Sequence, residues 1–223
     1  MQEVKPDFEI DKKHKIVMIP GQKKSCDLRI YASQNLKQFC IKCDSYERYQ
    51  VLKTKNGQFV NVHMPSSWRT EDKARMKYYE IAKNIRTKND FDLIGGDINS
   101  NPFELVTVSS IAWFAKKSID DFTQKKDEGL LNPFWRVWNT DMDGDAKGSF
   151  PGCNDDFSRR QILDQFFVSP LKFKNVTDCG VLDHLFGESF DTINKKKEVT
   201  STKGRGKLHW PVYIKYKVGE YYV

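Results

Sequence analysis

Apolar residues fall into short runs in the first third of this chain and again near its end, with two stretches of helical spacing between them. The runs at 16–19 (IVMI), 28–32 (LRIYA), 39–43 (FCIKC), 49–54 (YQVLKT) and 59–64 (FVNVHM) are separated by polar or Gly-containing breaks and predict strands. Lys55-Asn56-Gly57-Gln58 supplies an Asn-Gly turn, so the last two runs are expected to form a hairpin. In the last run Asn61 and His63 alternate with Val60, Val62 and Met64, which puts the polar pair on one face and the apolar set in the core. Met76, Tyr79, Ala82 and Ile85/Arg86 predict a helix over 70–88, with Glu71 and Asp72 complementing its N-terminal dipole. A short strand at 91–94 runs into Gly95-Gly96-Asp97-Ile98-Asn99. Val108, Ile111, Ala112, Ala115, Ile119 and Phe122 predict a second helix over 106–127. The Gly-, Asp-, Asn- and Ser-rich tract 139–160 reads as a long loop or irregular hairpin, and strands return at 162–168 and 211–218. This order predicts an α/β (α+β) chain, two mixed sheets packed face to face with helices outside, as a single domain over 1–223.

Composition narrows the picture. With 223 residues, 39% hydrophobic and 13% aromatic, the chain suits one globular domain and excludes a disordered tail. No apolar run approaches the roughly 18 residues of a membrane span, and charges run through the first twenty residues, so a soluble, cytoplasmic protein is expected. The net charge of +7 and a pI near 9.0 favour a polyanionic partner such as nucleic acid, although an exposed lysine surface gives the same figure. Five cysteines, an odd and scattered number, argue against a disulfide framework and for a reducing compartment. Cys40 and Cys43 form a C-x-x-C with no second pair at zinc spacing, and strand alternation accounts for them.

Four places carry candidate chemistry. After the strand at 91–94, two glycines permit a tight turn, and Asp97 and Asn99 are expected to project from one side of the strand end. A carboxylate beside an amide suits a hard cation and an oriented water or phosphate oxygen; an Asx turn is the plainer alternative. Asn61 with His63 forms either a polar pair facing a cleft or a structural hydrogen-bonding pair. Asp164, inside the apolar run ILDQFFV, needs a partner. His209, at the start of the last strand, is the candidate, since an Asp–His pair orients the imidazole and raises its basicity.

Along the chain stand MQEV at 1–4, NVH at 61–63, GDIN at 96–99, LDQFFVS at 163–169 and LHWPV at 208–212, with a Gly-Ser-aromatic approach at 148–150. In this order the five motifs resemble those of the endonuclease/exonuclease/phosphatase family, exonuclease III- and DNase I-like, whose pattern runs LQE, N-x-H, GD-x-N, (I/L)D-(Y/Q)-x-x-x-S and DH-x-P. The resemblance implies a four-layer α/β sandwich and phosphoester hydrolysis with Mg²⁺, or Mn²⁺. It implies that Glu3 binds the metal, Asp97 positions the attacking water, and Asn99 holds the phosphate or the metal shell. Asp164 would orient His209 as general base or charge stabiliser, and His63 would protonate the leaving oxygen. The chain departs from the family pattern in two places: no strand with an N-V/I-N motif stands ahead of MQEV, and Leu208 replaces the Asp beside the histidine. The expectation is a start downstream of the natural one, and reduced stability from the missing strand.

Lys195, Lys196, Lys197, Lys203, Arg205 and Lys207 crowd the segment before His209 and predict a basic loop at a cleft rim, with a solvated lysine loop as the plain alternative. Asn61, Lys203, Arg205 and Lys207 are therefore the substrate-binding candidates. Trp68 is read as structural. Asp141-Met142-Asp143-Gly144-Asp145 is read as a polar turn, because its Gly is misplaced for a calcium loop and Gly152 stands where the twelfth-position Glu belongs. The leading expectation is a nuclease acting on DNA or RNA. The alternatives are a phosphomonoesterase or phospholipid/inositol phosphate hydrolase, and an inactive remnant that binds nucleic acid.

Overall fold

The computed structural model describes residues 16–19, 28–88, 90–118, 120, 129–139, 148–150, 161–182, 184–185, 188–189, 209–218 and 221–222. In chain order these form β1 (Ile16–Ile19), β2 (Ile30–Ser33), α1 (Gln34–Lys37), β3 (Cys40–Ser45), β4 (Tyr49–Thr54), β5 (Gly57–His63), α2 (Asp72–Lys88), β6 (Leu93–Asp97), α3 (Leu105–Val108), β7 (Ala115–Lys116), β8 (Leu130–Leu131), α4 (Phe134–Asn139), β9 (Asp164–Val168), β10 (Val176–Val181), β11 (His184–Leu185), β12 (Glu188–Ser189), β13 (Val212–Val218) and β14 (Tyr221–Tyr222). The fold class is α/β.

A seven-stranded mixed sheet, ordered β3-β4-β5-β6-β9-β8-β7, forms the centre; β5–β6 and β7–β8 run parallel and the other pairs antiparallel. Its two faces follow from strand alternation. Val60, Val62, Ile94 and Phe167 point one way and pack under α2 with Tyr78, Ala82 and Ile85. Phe59, Leu93, Phe166 and Val168 point the other way, against Val176, Ile214 and Tyr216 of the second sheet, β10-β13-β14. The β1–β2 pair covers the β3–β4 side of that same face through Ile19, Ile30, Ala32, Cys43 and Leu52.

Several expectations change. The second sheet is antiparallel among the described residues, not mixed. Phe134 and Val137 of α4 pack on Val181, Trp210 and Phe166, at the end of the space between the sheets. In α2 the buried stripe is Tyr78, Ala82, Ile85, and Met76 is exposed. A repeat of three residues falls about 60° short of a full turn at each step, so Met76 lies opposite Ile85, whereas mixed steps of four and three stay on one face.

Of the helix expected over 106–127, only Leu105–Val108 is α-helical up to 118, while 119 and 121–127 lie outside the described residues. Trp113 drops into the core and its indole N–H donates to Tyr78 Oη at 2.9 Å; Phe114, at φ 51°, then turns the chain into β7. Tertiary burial of one indole outweighs the helical spacing. The hairpin forms, but Lys55-Asn56 make the turn and Gly57 is already in β5, where a Cβ would lie 2.0 Å from Asp92 Oδ2. Cys40 and Cys43 would face opposite ways in a regular strand; a bulge between Cys40 and Lys42 brings both into one cluster, as free thiols.

Candidate active site

The site is built on one rung of the central sheet. Parallel pairing sets His63 opposite Asp97, and antiparallel pairing sets Asp97 opposite Asp164, so three adjacent strands present His–Asp–Asp in line on the face toward the second sheet. The rung lies at the ends of β5 and β6, where the apolar space between the sheets opens. His63 Nε2 stands 3.6 Å from Asp97 Oδ2. His209, on the segment leading into β13, crosses from the second sheet: its Nδ1–H donates to Asp164 Oδ2 at 2.7 Å and lies 4.0 Å from Asp97 Oδ2. The predicted Asp164–His209 pair is thus formed, and Trp210, buried beside Phe134 and Ile162, anchors the histidine's segment.

The rung behind it is Asn61, Gly95, Phe166. A Cβ on Gly95 would meet the Phe166 ring at 2.3–2.4 Å, so glycine is what lets that ring lie across the strand. Asn61 shares the His63 face as predicted, and its Nδ2 is buried with no hydrogen-bond partner among the described residues.

Asn99 departs from its expected orientation. At φ 55° it turns back, its backbone N–H donates to Asp97 Oδ1 at 2.9 Å, and its Nδ2 donates to Met64 O at 2.7 Å. Trp68 is structural, as read: its indole N–H donates to Asn99 O at 2.8 Å. The turn after β6 therefore aims Asp97 and engages the Asn99 amide within the chain.

Asp97 and Asp164 face each other across neighbouring strands, and opposed like charges are destabilising unless a cation lies between them. With His209 they offer donor atoms within 4.8 Å of one another, a set of carboxylate oxygens and an imidazole nitrogen that fits a divalent cation. Because His209 Nδ1–H is engaged by Asp164, Asp97 and the remaining lone pairs of Asp164 are the best donors.

No protein-family model matches the chain, and no curated protein matches it in sequence. Solved structures do. The chain is similar to a 3′ phosphatase from Neisseria bound to a product DNA hairpin (TM-score 0.44, 14% identity, 78% of this chain and 66% of that one). It is also similar to a 3′–5′ exonuclease from Neisseria meningitidis (0.45, 14%, 77% and 66%) and an AP endonuclease from Archaeoglobus fulgidus (0.44, 13%, 77% and 65%). It spans just under two thirds of the length of each. In motif order the chain resembles the endonuclease/exonuclease/phosphatase family.

Glu3, Lys203, Arg205, Lys207, Leu208 and the 141–145 turn lie outside the described residues. Sequence patterning did not reveal the polar network behind the rung. Gln165 donates to Ile162 O and Ser100 O and accepts from Asn132 Nδ2; Asn101 Oδ1 accepts from Ile162 N; Ser149 bonds the start of β9. Its hints in the sequence are polar Gln165 inside an apolar strand and the Gly-Ser-aromatic approach at 148–150.

Proposed function

We propose that this chain is a metal-dependent phosphodiester hydrolase of the endonuclease/exonuclease/phosphatase family, and that its substrate is nucleic acid, DNA or RNA. The observation that carries this reading is the His63–Asp97–Asp164 rung with His209 bonded to its far end, which sets a base, an acid and two carboxylates around one point. Asp164 holds the Nδ1 proton of His209, so the neutral ring presents Nε2 to take a proton from water. Asp97, aimed by the Asn99 N–H, orients that water. His63, when protonated, gives its proton to the departing oxygen.

Asp97 and Asp164 would hold Mg²⁺ or Mn²⁺, with Glu3 as a further ligand, and the cation supplies neutralisation of the non-bridging oxygens. Asn61, one rung behind His63 on the same face, is the proposed substrate-binding amide, its Nδ2 being buried and without a partner among the described residues. In this reading Asn99 acts through Asp97, and Lys203, Arg205 and Lys207, directly preceding His209, meet backbone phosphates at the rim. Among the described residues no helix is long and apolar enough to cross a membrane.

The test is parallel turnover of supercoiled plasmid, a labelled RNA, a phosphomonoester and an inositol phosphate, with Mg²⁺ and with EDTA. Metal-stimulated cleavage of plasmid or RNA ahead of the others is expected. Preference for the monoester or the inositol phosphate would overturn the substrate class, and salt-sensitive binding with no turnover would overturn the enzymatic reading.

A further inference from the structure

We infer that Ser149 is a positioning residue for the Asp164–His209 pair, a role that deepens the hydrolytic reading above and rests on it for its catalytic consequence. The two partners come from different sheets, β9 and the entry to β13, so their 2.7 Å contact needs something to hold the two segments together. Ser149 does so from both sides. Its Oγ accepts the backbone N–H groups of Leu163 and Asp164, each at 2.9 Å, and its carbonyl accepts the backbone N–H of Trp210, the residue after His209. The side chain is wholly buried.

Its own place is set by the next residue. Phe150 and Gln161 exchange two backbone hydrogen bonds, at 2.9 and 3.0 Å, and the Phe150 ring packs on the His209 ring with centroids 4.8 Å apart. One residue thus fixes the backbone at the acid and the backbone beside the base. A hydroxyl is the chemistry the position needs, because two N–H donors converge on one acceptor and a hydrocarbon there leaves both unpaired.

The test compares Ser149→Ala and Ser149→Thr with Asp164→Asn as reference and Thr107→Val as a structural control, Thr107 lying in the buried network without touching either partner. The first readout needs no activity: the downfield Nδ1–H proton of His209 in histidine-labelled protein. It is expected to be sharp in wild type, Ser149→Thr and Thr107→Val, and broadened or lost in Ser149→Ala, as in Asp164→Asn. The second is turnover, with kcat falling about 10- to 100-fold in Ser149→Ala at nearly constant KM, recovering in Ser149→Thr. An unchanged His209 signal in a folded Ser149→Ala would overturn the inference, as would loss of the signal in Thr107→Val. If Ser149→Ala does not fold, Ser149→Cys replaces it, its weak acceptor giving an intermediate signal; a wild-type signal there would also overturn it. Absent turnover in wild type would sink the hydrolytic reading and leave the first readout to decide this one.

Discussion

Asp97 and Asp164 are the residues whose charges the fold must balance, and they separate the roles proposed here. Asp164→Asn keeps the shape but cannot hold the Nδ1 proton of His209 in the same way, so kcat is expected to fall about 10²- to 10⁴-fold with folding intact. Asp97→Asn is expected in addition to weaken Mn²⁺ binding, read by calorimetry. A structural prediction sits one rung back: Gly95→Ala forces the Phe166 ring aside and should cost about 1–3 kcal/mol in urea denaturation, with much of that recovered in the Gly95→Ala/Phe166→Leu double variant. The shared face of Asn61 and His63 was legible from period-two alternation, Asp164 from an isolated charge in an apolar run, and Asp97 and His209 from a Gly-Gly strand end, the need of Asp164 for a partner and the order of motifs. Ser149 stood in the Gly-Ser-aromatic approach at 148–150 with no role attached to it, and Asn132 left no mark, because both bond backbone or another amide, and a serine or asparagine in a loop has the same composition whether or not it does so.

At the scale of elements, legibility followed how local the deciding force was. Strands β4, β5 and β13 and helix α2 fall where alternation and helical spacing put them. The second helix failed because Trp113 and Tyr78, 35 residues apart, meet in the core, a contact no window of neighbouring residues reveals. Tyr78→Phe removes the acceptor of that indole N–H and the donor to Ile98 O, and should lower stability by about 1–3 kcal/mol, seen as a drop in Tm. The site between the sheets has its own marker in Cys179 on β10, whose thiol is pushed up from 9.0 to about 11, first by burial and then by the neighbouring Asp178 carboxylate. The folded state keeps that proton after an unfolded chain has released it. The stability it contributes is therefore complete below pH 9.0 and is lost as pH rises through about 11. Alkylation of Cys179 at about pH 8, followed by peptide mass, should be slow in the folded protein and fast in urea.

For the molecule as a whole, the two sheets bring His63, Asp97, Asp164 and His209 together, and the chain carries a net charge of +7. If nucleic acid is the substrate, binding should weaken linearly in log–log form with added salt. Alanine at Lys203, Arg205 and Lys207 should make that slope shallower by roughly 0.7–0.9 for each phosphate no longer neutralised. The strand order, with β5 and β6 parallel at the centre, could not be read from spacing, since alternation names a strand's faces and not its neighbours. Under the proposed function, the Asp164–His209 pair with a divalent metal drives water attack on a phosphodiester. The decisive measurement is Mg²⁺-dependent nicking of supercoiled plasmid by wild type and by His209→Ala, each with and without EDTA. Nicking by wild type that EDTA abolishes, and that His209→Ala lacks while remaining folded, is expected; equal nicking by the two proteins, or none by either, would overturn that mechanism.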